Sequence, residues 1–234
     1  VNKIRIIKKT IKKTDDRTNS SDKHNANVTN NSNIIISGPM SSGKTSAARC
    51  IAKEILKEKP GVKIEADVRC SRIVLETVKE NGGIPGRCNV GHSLVKKQMR
   101  EQDIYFAGEL SSHFYYQEEH YAEAPFFVIL KILQIMTEEN KPLSELVEPL
   151  KVYSHTGEIN SKVEDKSGKM KELAEKFSDG NVSYLDGVTV EYTDWWFNVR
   201  PSNTEPYLRL NLEADTKELM DEKRDLVLGI IRNN

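Results

Sequence analysis

The chain has little of what would place it quickly in a functional class. Cysteine is scarce: Cys50, Cys70 and Cys88 are the three in 234 residues. An odd number, with no C-x-x-C pair and no metal-ligand spacing to histidine, excludes a disulfide framework and a zinc site, so no metal ligands are expected. A reducing, cytoplasmic setting fits that usage. Net charge is also lacking, because 35 Lys and Arg balance 35 Asp and Glu. The whole-chain field therefore gives no argument for nucleic acid or an anionic membrane as partner. Long hydrophobic runs are missing too. The longest, Pro125 to Met136, is broken by Lys131 and Gln134 and is too short to cross about 30 Å of hydrocarbon. No membrane span or signal peptide is expected, and a first residue of Val rather than Met raises the expectation of a fragment.

What is present divides by texture. Residues 1–33 are rich in Lys, Asn, Ser, Thr and Asp, show no helical or strand period, and read as a low-complexity, disordered tail. No aromatic residue is interleaved there for base stacking. Residues 34–47 form a linker: a short strand, Ile34 to Ile36, then a turn and the start of a helical pattern that runs from Ala47 to Glu58 and stops at Pro60-Gly61. Residues 48–150 alternate strand and helix patterns. Strands are expected at Val62–Val68, Gly86–Val90 and Ile104–Ala107. Helices are expected from an N-cap at Ser71, over Ser93–Gln102, and over the nearly all-apolar Phe126–Met136. This is an α/β layered domain with a partly parallel sheet. Residues 151–234 read as a smaller α+β domain. Its strands fall at Ile159–Val163, Trp195–Val199 and Tyr207–Leu212, with a hairpin turning on Asp186-Gly187 between Tyr184-Leu185 and Val188–Val190. Helices are expected at Lys169–Phe177 and Lys217–Ile231, the last with Leu219, Leu226 and Ile230 on one stripe.

Four local patterns could carry chemistry. Gly38-Pro39-Met40-Ser41-Ser42-Gly43-Lys44-Thr45 fits G-x-x-x-x-G-K-[ST], in which backbone N–H groups wrap a phosphate, Lys44 adds charge and Thr45 holds magnesium. The competing reading of Gly43, Lys44 and Thr45 is a Gly/Ser-rich turn before a helix, since Asp67 makes a poor Walker-B acid on a strand interrupted by Lys63 and Glu65. Gly91-His92-Ser93, with Arg69 at a neighbouring strand end, is weak taken alone. Gly108-Glu109-Leu110-Ser111-Ser112-His113 places a carboxylate, hydroxyls and an imidazole in one short loop. One carboxylate there can accept from two vicinal sugar hydroxyls, and an imidazole can move protons near neutral pH. Arg200-Pro201-Ser202-Asn203-Thr204-Glu205-Pro206 offers a guanidinium fork with hydroxyl, amide and turn N–H donors, which argues for an anion.

In order along the chain, Val68-Arg69-Cys70-Ser71, Gly91-His92-Ser93, Gly108 to His113, Tyr184-Leu185-Asp186-Gly187 and Arg200 to Pro206 resemble the phosphomannomutase/phosphoglucomutase family, the α-D-phosphohexomutases, across its domains three and four. The resemblance covers most of the chain, from about Ala48 onward. It implies a domain-three-like α/β unit followed by the family's C-terminal domain. It also implies an isomerase reaction, in which a phosphoryl group moves between O1 and O6 of a hexose through a bisphosphate that turns over in the site. Carried over by position, Glu109 and Ser111 hold the sugar, His113 is an acid/base candidate, and His92 and Arg69 line the same cleft. Arg200, Ser202, Asn203 and Thr204 bind the phosphate that is not being transferred.

Two departures shape the expectations. Ser112 stands where the family usually has glycine, at a backbone position where a side chain is penalised if φ is positive. The family's phosphoserine loop, with its Ser-His-Asn-Pro core, and its magnesium loop, D-G-D-x-D-R, do not occur in the chain. The resemblance thus implies a C-terminal half that binds hexose phosphates but does not turn them over alone. Magnesium, with glucose or mannose 1,6-bisphosphate as intermediate, belongs to the complete enzyme, and the missing N-terminal half would be its partner. The alternatives are a P-loop nucleotide-binding protein and a free-standing, non-catalytic sugar-phosphate binding module.

Overall fold

The computed structural model describes residues 5–10, 32–37, 44–147, 152–202 and 204–233. Arg5–Thr10 (β1) and Ser32–Ser37 (β2) pair antiparallel, Arg5 opposite Ser37 and Thr10 opposite Ser32, in a unit of their own. β1 lies within the segment read as a disordered tail. β2 contains the Ile34–Ile36 run expected as a short strand, and Gly38 to Gly43 of the Walker-like stretch lie outside the described residues. Among the described residues the partner of β2 is β1, antiparallel, and it has no parallel neighbour.

The remaining residues build two five-stranded sheets. The first follows Lys44–Glu58 (α1) and has the order β4-β3-β5-β6-β7. Lys63–Asp67 (β3) is central and parallel to both Ile84–Cys88 (β4) and Phe106–Gly108 (β5). Phe114–Tyr116 (β6) and Ala122–Glu123 (β7) extend it antiparallel. The last two strands were not legible: an aromatic triplet and a two-residue strand give too little period to read. Arg72–Glu80 (α2) starts where Ser71 caps it, the serine side chain accepting from the Ile73 N–H at 3.3 Å. His92–Gln102 (α3) follows Gly91.

Side-chain alternation on β3 separates the layers. Ala66 packs with Cys70, Ile73 and Val74 beneath α2. On the opposite face Glu65 meets Gln98 of α3, above a cluster of Cys88, Val95, Met99, Ile104, Ala107 and Tyr115. Pro125–Glu138 (α4) packs on α1 through Val128 and Ile132. Nearly all-apolar from Phe126 to Met136 apart from Lys131 and Gln134, it leaves Phe126 80% and Leu130 65% exposed. Leu143–Val147 (α5) completes this domain.

The second sheet, order β8-β12-β11-β10-β9, is wholly antiparallel. It comprises Ser154–Lys162 (β8), Asn181–Ser183 (β9), Val188–Glu191 (β10), Trp195–Pro201 (β11) and Tyr207–Ala214 (β12). Lys166–Lys176 (α6) and Lys217–Arg232 (α7) cover one face around Leu173, Phe177, Val190, Phe197, Leu210 and Val227. α6 begins three residues before the expected Lys169, because the Asp165 side chain caps it by accepting from the Gly168 N–H at 2.8 Å.

Two expectations for this domain are corrected. The stripe of α7 that enters the core is Met220, Val227, Leu228 and Ile231, with Leu219 and Ile230 at its margin, while Leu226 is 48% exposed. Both sides of the true stripe are lined with leucine and isoleucine, so spacing alone placed it one residue off. The hairpin is also not a two-residue turn. Ser183 pairs with Thr189, and Tyr184–Gly187 forms a four-residue connection whose Asp186 is engaged elsewhere.

Glu65 is a carboxyl inside the α/β core, 3% exposed, with Gln98 Nε2 donating to it at 2.9 Å. Burial raises its pKa from 4.5 to about 7, against the smaller opposing effects of Gln98 and Lys63. The folded state therefore binds the proton more tightly than the unfolded chain. This contribution to stability is complete below pH 4.5 and is lost as pH rises through about 7. Glu65→Gln, which does not ionise, is expected to flatten that fall and to be more stable than the parent at about pH 8. Urea unfolding across the window checks it, and parallel pH profiles for both proteins would refute it.

Candidate functional site

β4, β3 and β5 are parallel neighbours, so their carboxyl ends share one edge of the sheet. Ligands of α/β sheets bind at that edge. The loops leaving it are the three singled out by sequence: Val68–Ser71 after β3, Asn89–Gly91 after β4 and Glu109–His113 after β5.

A single carboxylate joins two of these loops. Asp67, fully buried, accepts the backbone N–H of Arg69 at 2.7 Å and that of Leu110 at 2.8 Å. It also pairs with the Arg69 guanidinium, whose NH2 group lies 2.6 Å from its Oδ2. Glu109 joins the third loop. Its Oε1 accepts the Gly91 N–H at 2.8 Å and its Oε2 accepts the Tyr115 hydroxyl at 2.8 Å. At 5% exposure it is a largely internal group. A carboxylate has about four lone-pair sites, which leaves two for further donors. Burial, with the bond to Glu109, pushes the Tyr115 phenol well above its usual range, so it remains a donor.

The turn after Glu109 is tight: Ser112 N–H donates to the Glu109 carbonyl at 2.9 Å, and Glu109 N–H to the His113 carbonyl at 2.8 Å. Ser112 takes φ +73°, the left-handed conformation. The loop has kept a glycine-type backbone with a side chain on it. Ser111 and His113 are exposed. His113 Nδ1 sits 2.8 Å from Glu123 Oε1, a partner on β7 that sequence did not reveal. That contact orients the ring and leaves Nε2 for a substrate. His92 is exposed in the first turn of α3.

The anion-type loop joins β11 to β12. Arg200 and Arg209 face each other directly across that ladder, an arrangement that is destabilising between like charges. Glu158 of β8 compensates, taking Arg200 at 3.0 Å on Oε2 and Arg209 at 2.9 Å on Oε1. Lys166 donates to the carbonyls of Ser202 at 3.0 Å and Glu205 at 3.2 Å. Arg209 NH2 reaches Ser202 Oγ at 3.3 Å. Arg200 and Arg209 thus share the partly buried Glu158, the exposed Glu205 carboxylate lies 3.6 Å from Arg209, and the buried Nε groups of both arginines have no partner among the described residues. Buried donors in that state call for an acceptor. Ser202 is buried and Thr204 exposed. Arg209, Lys166 and Glu158 were missed because each lies outside the R-P-S-N-T run; the β8-β12-β11 register brings Glu158 and Arg209 to it, and the start of α6 brings Lys166. Asn203 lies outside the described residues. So does Gly43, whereas Lys44 and Thr45 open α1.

Among the described residues no group of three or more His, Cys, Asp or Glu side chains is arranged to hold a metal ion. The arrangement instead offers hydroxyl acceptors on one loop set and anion donors on the other, with the turn before β10 touching the loop after β4: Asp186 Oδ2 accepts the Val90 N–H at 2.9 Å.

Fold and site together define an α/β-plus-C-terminal-domain architecture of the phosphosugar mutases. The chain matches the phosphoglucomutase/phosphomannomutase α/β/α domain III over residues 45–153 and the C-terminal domain of the same family over residues 158–229. It belongs to the phosphoglucomutase/phosphomannomutase family. It is 50% identical over 181 residues to a phosphomannomutase of Methanocaldococcus jannaschii, covering 77% of this chain and 40% of that protein. A Burkholderia thailandensis phosphoglucomutase/phosphomannomutase family structure superposes with a TM-score of 0.70 at 31% identity, over 85% of this chain and 42% of that one. At 10% identity, a likeness of fold alone, Aspergillus fumigatus N-acetylphosphoglucosamine mutase, solved with glucose 1,6-bisphosphate, gives 0.58 over 87% of this chain and 44% of its own. The chain thus spans about 40% of the length of such relatives.

Two consequences follow from the loop geometry. A left-handed non-glycine residue costs about 1–2 kcal/mol, more than the extra unfolded-state entropy of glycine, about 0.4–1 kcal/mol. Ser112→Gly is therefore expected to raise stability by up to about 1 kcal/mol in urea unfolding, whereas a loss would show that the serine side chain earns its place. Glu158→Gln leaves Arg200 and Arg209 opposed and is expected to cost about 1–3 kcal/mol. Part of that should return when sulfate is added, and a variant as stable as the parent in sulfate-free buffer would overturn the compensation argument.

Proposed function

We infer that this chain supplies sugar recognition and distal-phosphate recognition to a hexose-phosphate mutase that interconverts hexose 1-phosphate and hexose 6-phosphate. The observation that carries the reading is a chain of contacts in which Asp67 and Glu109 tie the strand-end loops of one domain to each other and Asp186 ties them to the turn beside the arginine loop of the other. A hydroxyl-binding loop and an anion-binding loop are thereby held in one unit. Residues 48–150 would take the hexose hydroxyls and residues 151–234 the far phosphate.

In this reading Glu109 and Ser111 bind the ring hydroxyls, while Arg69 and His92 line the cleft between them. Arg200, Ser202, Asn203 and Thr204 receive the phosphate that stays in place, with Arg209 and Lys166 adding charge. His113, steadied by Glu123, holds or moves a proton at the reacting hydroxyl through Nε2. A phosphoserine on residues outside this chain would give its phosphoryl group to the free hydroxyl of the hexose phosphate, forming a 1,6-bisphosphate. After the sugar turns over, the other phosphoryl group returns to the serine and the isomeric monophosphate leaves. Both loops must accept either end of the sugar, so their contacts are to features common to both orientations. Positioning and preorganised charge, rather than covalent chemistry, are this chain's contribution. Magnesium, expected for the complete enzyme, finds no group of three or more His, Cys, Asp or Glu side chains among the described residues.

Calorimetric titration of the chain with glucose 1,6-bisphosphate tests the reading. Binding is expected, with a loss of at least about tenfold in Arg200→Ala, since a charge-assisted contact contributes about 1.5–3 kcal/mol. Absence of binding by the wild-type chain would overturn it. Heat from Mg-ATP that Lys44→Ala abolishes would favour nucleotide binding instead.

A further inference from the structure

The geometry points to Asp186 as a positioning residue: the Tyr184–Gly187 turn couples the sugar end of the site to its phosphate end. This rests on the binding role just assigned, and it concerns a residue that none of the recognition loops contains.

The turn is built into the base of the arginine loop. The Asp186 carbonyl accepts from Asn198 Nδ2 at 2.9 Å, and the same amide nitrogen donates to Thr189 Oγ1 at 2.9 Å, so the turn is tied to β11 and β10 through a fully buried side chain. Gly187 has φ +75°, and a Cβ there would come 2.2 Å from the Val199 carbonyl oxygen and 2.6 Å from Arg200 Cα. Only glycine admits this approach, and the approach seats the turn directly against the backbone of Arg200.

From this seat the carboxylate reaches across the domain boundary. Asp186 Oδ2 accepts the Val90 N–H, and the next N–H along, that of Gly91, is accepted by Glu109. The segment that enters α3 and carries His92 is thus held at two successive amides, one by each domain. A separate set of contacts joins the domains around Arg72. Its backbone N–H donates to Glu213 Oε1 at 3.1 Å and its guanidinium to the Thr193 carbonyl at 2.8 Å, with Asp215 as ion-pair partner. Glu213 also accepts from Trp196 Nε1 at 2.9 Å. That side is multiply bonded, with Glu213 and Trp196 buried. The Asp186 contact is a single hydrogen bond on a half-exposed turn, and it lands on the loop after β4 itself. Removing it should leave the domains joined but release the Val90–His92 segment from the seat of Arg200.

The test uses the full chain with Asp186→Ala and Asp186→Asn, whose amide oxygen can still accept the Val90 N–H. Two readouts are taken: amide hydrogen exchange of the Val90 and Gly91 region without ligand, and calorimetry with glucose 1,6-bisphosphate and with inorganic phosphate. Asp186→Ala is expected to speed exchange there and to weaken the bisphosphate about tenfold, as loss of a hydrogen bond to a charged group would. Inorganic phosphate, which needs the arginine loop alone, should bind within about twofold of wild type, a difference too small to represent such a bond. Asp186→Asn should restore most of both. Equal bisphosphate affinity in Asp186→Ala and wild type overturns the coupling, as does an equal loss for both ligands. If the wild-type chain binds neither ligand, the binding role fails on its own account. The positioning role is then decided by exchange, and unchanged rates in Asp186→Ala overturn it.

Discussion

Everything at the candidate site depends on how Asp67 is satisfied. A carboxylate with no exposure is tolerable only when it is paired and hydrogen-bonded. Asp67 meets that demand with its neighbour Arg69, with the Arg69 amide and with the amide of Leu110. The last of these comes from a different strand end. The electrostatic requirement of one buried group therefore fixes both a cation at the sheet edge and the loop that carries Ser111 and His113. Glu109 and Asp186 repeat the device at Gly91 and Val90. Three carboxylates, each accepting a backbone N–H from a loop other than its own, turn separate strand ends into one surface.

The arginine loop obeys a different constraint. Directly opposed arginines on neighbouring strands repel, and only a carboxylate from a third strand makes the pair tolerable. Glu158, with Glu205 3.6 Å from Arg209, does not saturate the two guanidinium groups, and two buried donors are left without partners among the described residues. A site built to receive a dianion should have this character: compensated enough to fold, yet short of acceptors until its ligand arrives. The strand-end loops of the α/β domain are the reverse, built around the carboxylates Asp67 and Glu109, which accept from backbone and side-chain donors. That asymmetry is the one the proposed phosphosugar role calls for, with an uncharged ring and charged ends.

Much of this was legible in the chain before folding was considered. The α/β alternation, the Ser71 cap, the change of texture near Pro149 and the recognition motifs are local, and local patterns survive in sequence. The strand–loop–helix reading of Gly38 to Thr45 was equally local and met no support from the pairing of β2. The stripe of α7 failed by one residue because apolar side chains flank it on both sides. The hairpin at Asp186-Gly187 was misjudged because a D-G dipeptide signals a turn without saying what else the aspartate must hold. Glu158, Arg209, Lys166 and Glu123 carried no signal, being ordinary charged residues in ordinary surroundings.

Sequence by itself determined the order of elements, the residue types available for chemistry and the family to which they belong, since each of these follows from spacing within a few residues. Tertiary structure alone decided which of those residues meet. Partners such as Asp186 and Val90, or Glu158 and Arg200, stand 96 and 42 residues apart. Their contact is set by sheet register and by the need of buried charge for a partner, and neither is written in any short stretch of chain.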